Sequence, residues 1–454
     1  MEEGMISKWV KLQNVKDVKE GTLVSGGGMS DNSDAYTAAK EAAQQAISKL
    51  NGKSPTISYV FFAGDYDPYE LTRGLKEVFK DTEYVGGLGD SVIYDDKILE
   101  KGVVVSCIQS DFLHVGVASA DGFTDNAFET ARNVAKEALS KLSIDSYVDP
   151  YMQALRMKGG NIRGIVKIPP YYVHVFTTGF KLPKMGDENK IISGIADVTG
   201  RQIPIWGGAF ETSLENFSKK YEIYSLHSGK VYKDGLIIIF SVTSLLYAYS
   251  IAHGAKRVGS LAVVTKTSLD GYVIEEISGK KTADWYAERL NLSKEKFLDG
   301  AVALGITQRW PLGMVDNLGN VVVRGGGIPT GSNNESLAFA APVPEGSAIF
   351  LMDGDPNNLF GASGEISQNI NNYIEEKANP SMILITSCFT RRNVMKEEFS
   401  QDMRKLKESM GNPTLVGFTC SGEIGAKEGE LANCHHLTDN IFVFYGRLLI
   451  NKKE

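Results

Sequence analysis

The sequence predicts an α/β (α+β) protein with mixed, largely antiparallel sheets layered with helices, built from three α-β-α-β-β pseudo-repeats plus a β-rich insert. Three observations support this fold class: two alanine-rich helical segments that align without a gap, apolar strands interrupted by glycine, and a third set of the same elements near the C-terminus. Features that all copies share are expected to be scaffold, and features that one copy adds are candidates for a site.

The first two copies contain similar helices. The segment SDAYTAAKEAAQQAISKL, which starts at Ser33, aligns with DNAFETARNVAKEALSKL, which starts at Asp125. Both begin with residues that favour a helix N-cap, and both carry apolar residues at helical spacing. The segment NLFGASGEISQNINNYIEEK, which starts at Asn358, is predicted to be the equivalent helix of the third copy.

A strand, a second helix and a glycine-broken strand follow in each copy. The first of these strands ends at Gly64, Gly179 or Cys388, so the third copy is expected to replace a glycine with a cysteine. The glycine-broken strands are EYVGGLGDS, IPIWGGAFET and TLVGFTCSGEIG. Glycine at such positions permits a bulge or the close approach of another backbone. A return strand, such as GVVVSCIQ or DNIFVFYG, completes each copy.

The apolar run LIIIFSVTSLLYAYSIA, residues 236–252, is close to the shortest length that crosses a membrane. Its hydroxyl residues and its content of Ile, Val and Tyr favour two consecutive buried strands instead. No membrane span is therefore expected. The N-terminus, MEEGMISKWVKL, lacks the basic and apolar regions of a signal peptide, so a cytoplasmic location is predicted.

The composition is that of a globular protein. The chain has 454 residues, is 43% hydrophobic and carries a net charge of −7. Nucleic-acid binding needs a basic face, so the acidic balance argues against it. Four cysteines without CxxC spacing predict free buried thiols rather than a disulfide framework.

Two domains are predicted. Residues 1–255 contain the first two pseudo-repeats, and residues 256–454 contain the rest. Within the second domain, residues 256–345 form the β-rich segment with Asp-Gly and Asn/Gly turns, and residues 346–454 form the third pseudo-repeat. A ligand pocket is expected between the two domains.

Several segments together resemble a known family. The C-terminal half resembles the FIST C-terminal domain in the order of its segments, which are LDGYVIEEISGKKTADWYAERL, WPLGMVD, APVPEGSAIFLMDGD, ILITSCFTRR, LVGFTCSGEIG and LTDNIFVFYG. The N-terminal half resembles the FIST N-terminal domain in the segments YVFFAGDYDPYELTRGLKEVF and YVGGLGDSVIY. The resemblance implies an intracellular sensory protein that binds a small ligand, notably an amino acid, without catalysis. The sequence contains no recognisable kinase, cyclase or methyl-acceptor segment, so either a separate signalling output protein is the partner or the ligand is carried rather than sensed.

The third copy adds polar groups where its strands end. An amino acid needs a cation for its carboxylate and a carboxylate for its ammonium, which Arg391 and Glu423 would supply. The ligand-binding residues predicted in this copy are Ser387, Cys388, Arg391, Gly417, Thr419 and Glu423. Those predicted with lower rank in the first two copies are Gly87, Asp90, Gly208 and Glu211. Asp90, Glu211 and Ser421 lie four residues after the first glycine of their broken strands, so they are expected to converge.

Three alternatives remain open at this point. A cysteine-dependent enzyme would use Cys388 as nucleophile with His435 or His436 as base. The second alternative is a haem- or metal-binding gas or redox sensor, since some FIST proteins carry haem. His435 or His436 would be the single axial haem ligand, and the candidate metal ligands are His174, His227, His253, His435, His436 and the cysteines. Adjacent residues of a strand point to opposite faces, so both histidines would reach one ion only from a loop. The third alternative is a scaffold protein whose strands form a homodimer.

Overall fold

The computed structural model describes residues 22–147, 169–179, 186–211, 222–316, 319–331, 333–374 and 378–448. Repeat 1 begins with a strand, continues as strand and helix in alternation, and closes through a short hairpin and a return strand. Its elements are β1 (Val24–Ser30), α1 (Ala35–Ser48), β2 (Ile57–Ala63), α2 (Pro68–Phe79), β3 (Tyr84–Leu88), β4 (Val92–Tyr94), β5 (Lys97–Leu99) and β6 (Gly102–Gln109).

Repeat 2 has the same order of elements. Asn126 caps its first helix through the side chain, as Asp34 caps α1. The elements of repeat 2 are β7 (Leu113–Ala120), α3 (Ala127–Ser140), β8 (Tyr171–Thr178), α4 (Glu188–Thr199), β9 (Ile205–Phe210), β10 (Ser225–His227), β11 (Lys230–Tyr232) and β12 (Leu236–Thr243).

The insert follows the first strand of repeat 3, β13 (Leu245–Ala252), and forms a separate eight-stranded sheet in the order β18-β17-β21-β14-β15-β20-β19, with β16 paired to β15. Its second helix, α6, was not predicted. The elements of the insert are β14 (Lys256–Ser268), β15 (Val273–Ile277), β16 (Lys280–Lys281), α5 (Thr282–Leu290), α6 (Gly300–Arg309), β17 (Leu312–Val315), β18 (Val321–Arg324), β19 (Ile328–Thr330), β20 (Ser336–Ala338) and β21 (Ala348–Asp353).

Repeat 3 resumes after the insert. Arg391 lies on a short helix, α9, rather than on a strand end as predicted. The elements of repeat 3 are α7 (Pro356–Leu359), α8 (Gly361–Tyr373), β22 (Pro380–Cys388), α9 (Phe389–Met395), α10 (Glu398–Ser409), β23 (Thr414–Cys420), β24 (Glu423–Gly425), β25 (Asn433–His435) and β26 (Asp439–Leu448).

The three repeats form three six-stranded sheets that exchange hairpins in a cycle. The strand orders are β1-β6-β2-β3-β10-β11, β7-β12-β8-β9-β24-β25 and β13-β26-β22-β23-β4-β5. Each sheet contains four strands of one repeat and the hairpin of another, and only the pairs β2–β3, β8–β9 and β22–β23 within them are parallel. The predicted fold class, mixed and largely antiparallel, is confirmed. The boundary between residues 255 and 256 stays a prediction, and two of the sheets contain strands from both sides of it.

The apolar run 236–252 forms the two buried strands β12 and β13, as predicted. These strands belong to different sheets, because β12 pairs with β7 and β8 whereas β13 pairs with β26. No helix in the described part of the chain is long and apolar enough to cross a membrane.

The first glycine of each broken strand is required by close approach to the parallel neighbour. A Cβ atom on Gly417 would lie 1.9 Å from the carbonyl oxygen of Ile385. The equivalent distances are 1.6 Å from Gly86 to Val60 and 1.7 Å from Gly207 to Val175. A side chain at any of these positions would therefore overlap the backbone of the adjacent strand.

The second glycine explains why repeat 3 reads Gly-Phe where the others read Gly-Gly. A Cβ on Gly87 would lie 2.6 Å from the Phe210 ring, and one on Gly208 would lie 3.2 Å from Cys420 Sγ. At the third contact the larger residue is on the other side: Phe418 stands at the second-glycine position of repeat 3, and its partner in repeat 1 is the small residue Gly89. Each contact between repeats thus combines one small and one larger residue.

Three backbone hydrogen bonds join the repeats in a closed ring just beyond the broken strands. Positions are counted here from the first glycine of each broken strand. In each hydrogen bond, the backbone amide at position +4 of one repeat donates to the backbone carbonyl at position +2 of another repeat. The pairs are Asp90 to Thr419 at 3.2 Å, Glu211 to Leu88 at 3.1 Å and Ser421 to Ala209 at 3.2 Å. The ring places the three residues that were expected to converge around one pseudo-threefold centre.

The strand registers correct one alignment. Cys388 pairs with Cys420 in repeat 3, and Thr178 pairs with Phe210 in repeat 2. Cys388 is therefore equivalent to Thr178, and the residue equivalent to Gly179 is Phe389. The predicted replacement of glycine by Cys388 is wrong by one position, because the sequence alone does not fix strand register.

Candidate functional site

Arg391 lies at the centre of a fully buried ionic network. Its Nη2 atom lies 2.7 Å from Asp402 Oδ2 and 2.8 Å from Asp439 Oδ2, and all three side chains are 0% exposed. Its Nη1 atom donates to the carbonyl oxygen of His253 at 3.0 Å. Ser387 donates from Oγ to Asp439 Oδ1 at 2.6 Å. Both terminal nitrogens of Arg391 are thus engaged within the protein, and Ser387 supports the same network.

Glu423 occupies a separate buried position and contacts other groups. Thr438 donates to Glu423 Oε2 from its backbone nitrogen at 3.2 Å and from its hydroxyl at 2.7 Å. Cys420 donates from Sγ to Oε1 at 3.2 Å. The arrangement is not an open Arg391–Glu423 clamp for an amino acid, because each group is enclosed and hydrogen-bonded to the chain.

Burial raises the pKa of Glu423 to about 8, despite the donors that lower it. An unfolded glutamate ionises near pH 4.5, so between pH 4.5 and 8 the folded chain retains a proton that the unfolded chain has lost. Stability contributed by this group is therefore present at low pH and is lost as the pH rises through that window. Replacing Glu423 with glutamine removes the dependence.

When the pH is raised from 5.5 to 7.5, we expect the unfolding free energy of Glu423→Gln to increase by about 2–3 kcal/mol relative to that of the parent protein. Urea unfolding at the two pH values measures it. The matched change Glu398→Gln, at an exposed helical position, is the control. A difference that does not vary with pH would show that Glu423 is already ionised in the folded protein.

The other predicted residues lie near the pseudo-threefold centre. Thr419 Oγ1 accepts from the Ser91 amide at 2.8 Å, and Asp90 Oδ2 accepts from Arg392 at 2.7 Å. Glu211 is fully buried. Gly87 and Gly208 provide space between repeats, whereas Gly417 provides space between β22 and β23 within repeat 3. The predicted ligand-binding roles of these residues stay predictions.

Cys388 lines a cavity of about 520 Å³ between repeat 3 and the insert, here called the apolar cavity. Its lining residues include Leu304, Gln308, Ser421 and His436. The cavity lies where β22 passes into α9, close to the predicted base of the pocket. Sequence reasoning missed Gln308 because α6 was not recognised: Asp299 is a favourable N-cap, but two glycines and three β-branched residues weaken the helical signal of GAVALGITQR.

A second cavity, of about 350 Å³, is called the polar cavity. Its charged lining consists of Lys256, Asp316, Glu365, Lys427 and Glu430, and His253 and His435 also contribute. These residues come from four separated segments. The sequence offers no local motif that would join them, so none was predicted.

His435 and His436 face different cavities. His435 lines the polar cavity and His436 lines the apolar cavity, as expected for adjacent residues of a strand. Burial lowers the pKa of each imidazole to about 3, so both are neutral at physiological pH. A single ion therefore cannot be shared by both.

The residues around His436 do not fit an axial haem ligand. The amide of Gly325 donates to His436 Nδ1 at 3.3 Å, so the ring proton lies on Nε2 and no lone pair remains there for iron. A metal-bound imidazole normally donates its other nitrogen rather than accepting through it. His435 faces a cavity lined by charged groups, which does not match an apolar porphyrin. Among the described residues, no three His, Cys, Asp or Glu side chains are grouped to hold a metal ion.

The thiol chemistry of Cys388 is unfavourable for a nucleophile. Burial raises its pKa well above the usual range, and the nearby Glu423 raises it further. The reactive form of cysteine is the thiolate, which this environment disfavours at neutral pH. Cys388 and His436 share the apolar cavity, but the site lacks the activated thiol that the enzyme alternative needs.

Two family models match the chain, the FIST N domain over residues 57–280 and the FIST C domain over residues 282–426. No curated protein sequence matches it. Among solved structures, the cyanuric acid hydrolase from A. caulinodans is similar at 8% sequence identity, covering 92% of this chain and 99% of that chain with a TM-score of 0.32.

Proposed function

The chain belongs to the FIST family, since the models of both FIST domains match it, and we propose that it binds an amino acid or similar small metabolite in the polar cavity without catalysis. The family is associated with the sensory binding of small ligands. The observation that carries this proposal is that cations and carboxylates line the same cavity. A zwitterion needs both.

The charges suit the two ends of an amino acid. Lys256 and Lys427 are the cations available for a ligand carboxylate, whereas Asp316, Glu365 and Glu430 offer oxygen atoms to an ammonium group. Charge-assisted hydrogen bonds of this kind are roughly twice as strong as neutral ones. The volume, about 350 Å³, lies within the usual range of small-molecule sites.

The existing contacts of Lys427 support a role in binding. Its ammonium lies 2.6 Å from Glu365 Oε1, with both side chains about 40% exposed. An exposed ion pair contributes little to stability, so exchanging Glu365 for a ligand carboxylate costs little. Burial raises the pKa of Glu430, and a bound ammonium would favour its charged form.

The proposal also covers how a ligand would act. Repeat 3 supplies Glu365, Lys427 and Glu430, and the insert supplies Lys256 and Asp316, so a bound ligand would bridge the two. Such a bridge would favour one arrangement of the insert on the repeats. A separate output protein in the cytoplasm would read this arrangement, and the homodimer stays a prediction.

The test is a thermal-unfolding and calorimetric screen of the full chain with the amino acids. A ligand at 100 times its Kd should stabilise the protein by about 2.7 kcal/mol. Lys427→Met and Glu430→Gln should each weaken binding about 10- to 100-fold, since each removes a hydrogen bond to a charged group.

Lys296→Met is the matched control, because Lys296 is exposed and lies outside both cavity linings. It should leave affinity unchanged. If an amino acid bound equally well to the parent protein and to both cavity variants, the polar cavity would not be its site. If no amino acid bound, the ligand class would be wrong.

A further inference from the structure

We propose that the apolar cavity is a second ligand site, which takes an uncharged small molecule with an apolar body and a hydrogen-bond-accepting carbonyl group. This site is distinct from the polar cavity of the proposed function. Its walls, its unpaired polar groups and its lack of charge each restrict the ligand.

The walls are mainly apolar and come from two parts of the fold. The insert contributes Leu304 on α6 and Ile328 on β19, and repeat 3 contributes Phe389 and Leu437. At about 520 Å³ the cavity is large enough for a bicyclic molecule, since ligand sites typically measure about 300–1,000 Å³. The body of the ligand is therefore expected to be apolar.

Two buried polar groups in the lining have no hydrogen-bond partner among the described residues. They are Ser421 Oγ and Gln308 Nε2, on residues that are 4% and 7% exposed. Buried polar groups in native proteins are nearly always paired, and an unsatisfied one is destabilising. Both residues line the cavity, so a ligand carbonyl there can pair with each group once its side chain rotates toward the cavity.

His436 adds a third donor. Because Gly325 donates to Nδ1, the neutral ring carries its hydrogen on Nε2. Serine, glutamine and this imidazole can all donate to the ligand. A carbonyl oxygen, with two lone pairs, is the simplest group that accepts from more than one of them.

The charge of the ligand follows from the lining. The lining residues include no Asp, Glu, Lys or Arg. A charged ligand would be desolvated without a counter-charge, which is strongly unfavourable. The site should therefore discriminate between an amide and the carboxylate of the same shape.

The probes are 2-naphthamide and 2-naphthoate, tested by calorimetry on the full chain. We expect the amide to bind and the carboxylate to bind at least tenfold more weakly. Ser421→Ala and Gln308→Leu should each weaken amide binding about two- to tenfold, because each removes one neutral hydrogen bond. A purely structural role for these residues would leave the discrimination between amide and carboxylate unchanged.

Gly305→Leu tests the location. Gly305 lies on α6 in the cavity lining, and a Cβ there meets no atom within 4 Å, so there is room for a larger side chain that would take up space needed by the ligand. Gly364→Leu, at an open position of α8, is the control. The first should abolish amide binding, and the control should retain it.

Lys427→Met should leave amide binding intact, so failure of the polar cavity as an amino-acid site does not affect this test. Retained binding in Gly305→Leu would overturn the proposal, as would equal affinity for amide and carboxylate. Absence of amide binding at millimolar concentration would also overturn it, since the cavity would then hold water only.

Discussion

Arg391→Ala is expected to lower the free energy of unfolding by about 3–5 kcal/mol. Asp402 and Asp439 would remain buried without a cation, and they would have to take up protons or stay as uncompensated charges. The carbonyl of His253 would also lose its donor. Urea unfolding at pH 7, followed by far-ultraviolet circular dichroism, measures the loss.

Arg404→Ala is the matched control, because its ion pair with Asp96 is 58% exposed on the arginine side. Exposed pairs contribute at most about 1 kcal/mol. Adding Asp402→Asn and Asp439→Asn to Arg391→Met should recover part of the loss, since no charge then remains in this network. A variant Arg391→Ala that keeps the parent stability and loses only amino-acid affinity would restore the ligand role that the sequence suggests.

Gly417→Ala is expected to destabilise the protein by about 3 kcal/mol or more, and to leave much of it insoluble. The new Cβ would lie 1.9 Å from a carbonyl oxygen of β22, a backbone atom in the middle of a sheet. Relief requires the two strands to separate, which breaks the ladder between them. Thermal unfolding and the soluble yield measure the effect.

The control for this substitution is Gly364→Ala. Gly364 lies on α8 with open space around its Cβ position, so alanine should stabilise the helix by about 0.5–1 kcal/mol. Opposite signs for the two glycine-to-alanine changes are the expected result. A neutral effect at Gly417 would show that β22 and β23 separate at little cost, which would contradict the packing argument for this glycine.

The repeated framework was predictable because its signals are local. The N-cap residues Asp34 and Asn126, the alanine spacing of the helices and the glycines of the broken strands all act within a few residues. The exchanged hairpins were not predictable. Strands such as β4 and β24 have three residues each, too few for a periodic pattern, and their partners lie in other repeats.

The candidate site was harder to predict for the same reason. The sequence predicts Arg391 as a ligand-binding cation, since no neighbouring residue indicates its buried partner Asp439, which lies 48 positions later. Cys388 lines a cavity, and its predicted ligand-binding role stays a prediction. The charged residues of the polar cavity were missed because each is an ordinary surface residue until the fold brings Lys256 and Lys427 to one space.

The exchange of hairpins also sets an order of events during synthesis. The β4–β5 hairpin leaves the ribosome early, yet its partner β23 begins only at Thr414. At roughly 5–20 residues per second, the nascent hairpin waits tens of seconds with an unpaired edge. The early product is thus an incomplete intermediate whose unpaired strand edge can bind chaperones or another nascent chain. A chain truncated before β23 would lack the partner strand of this hairpin.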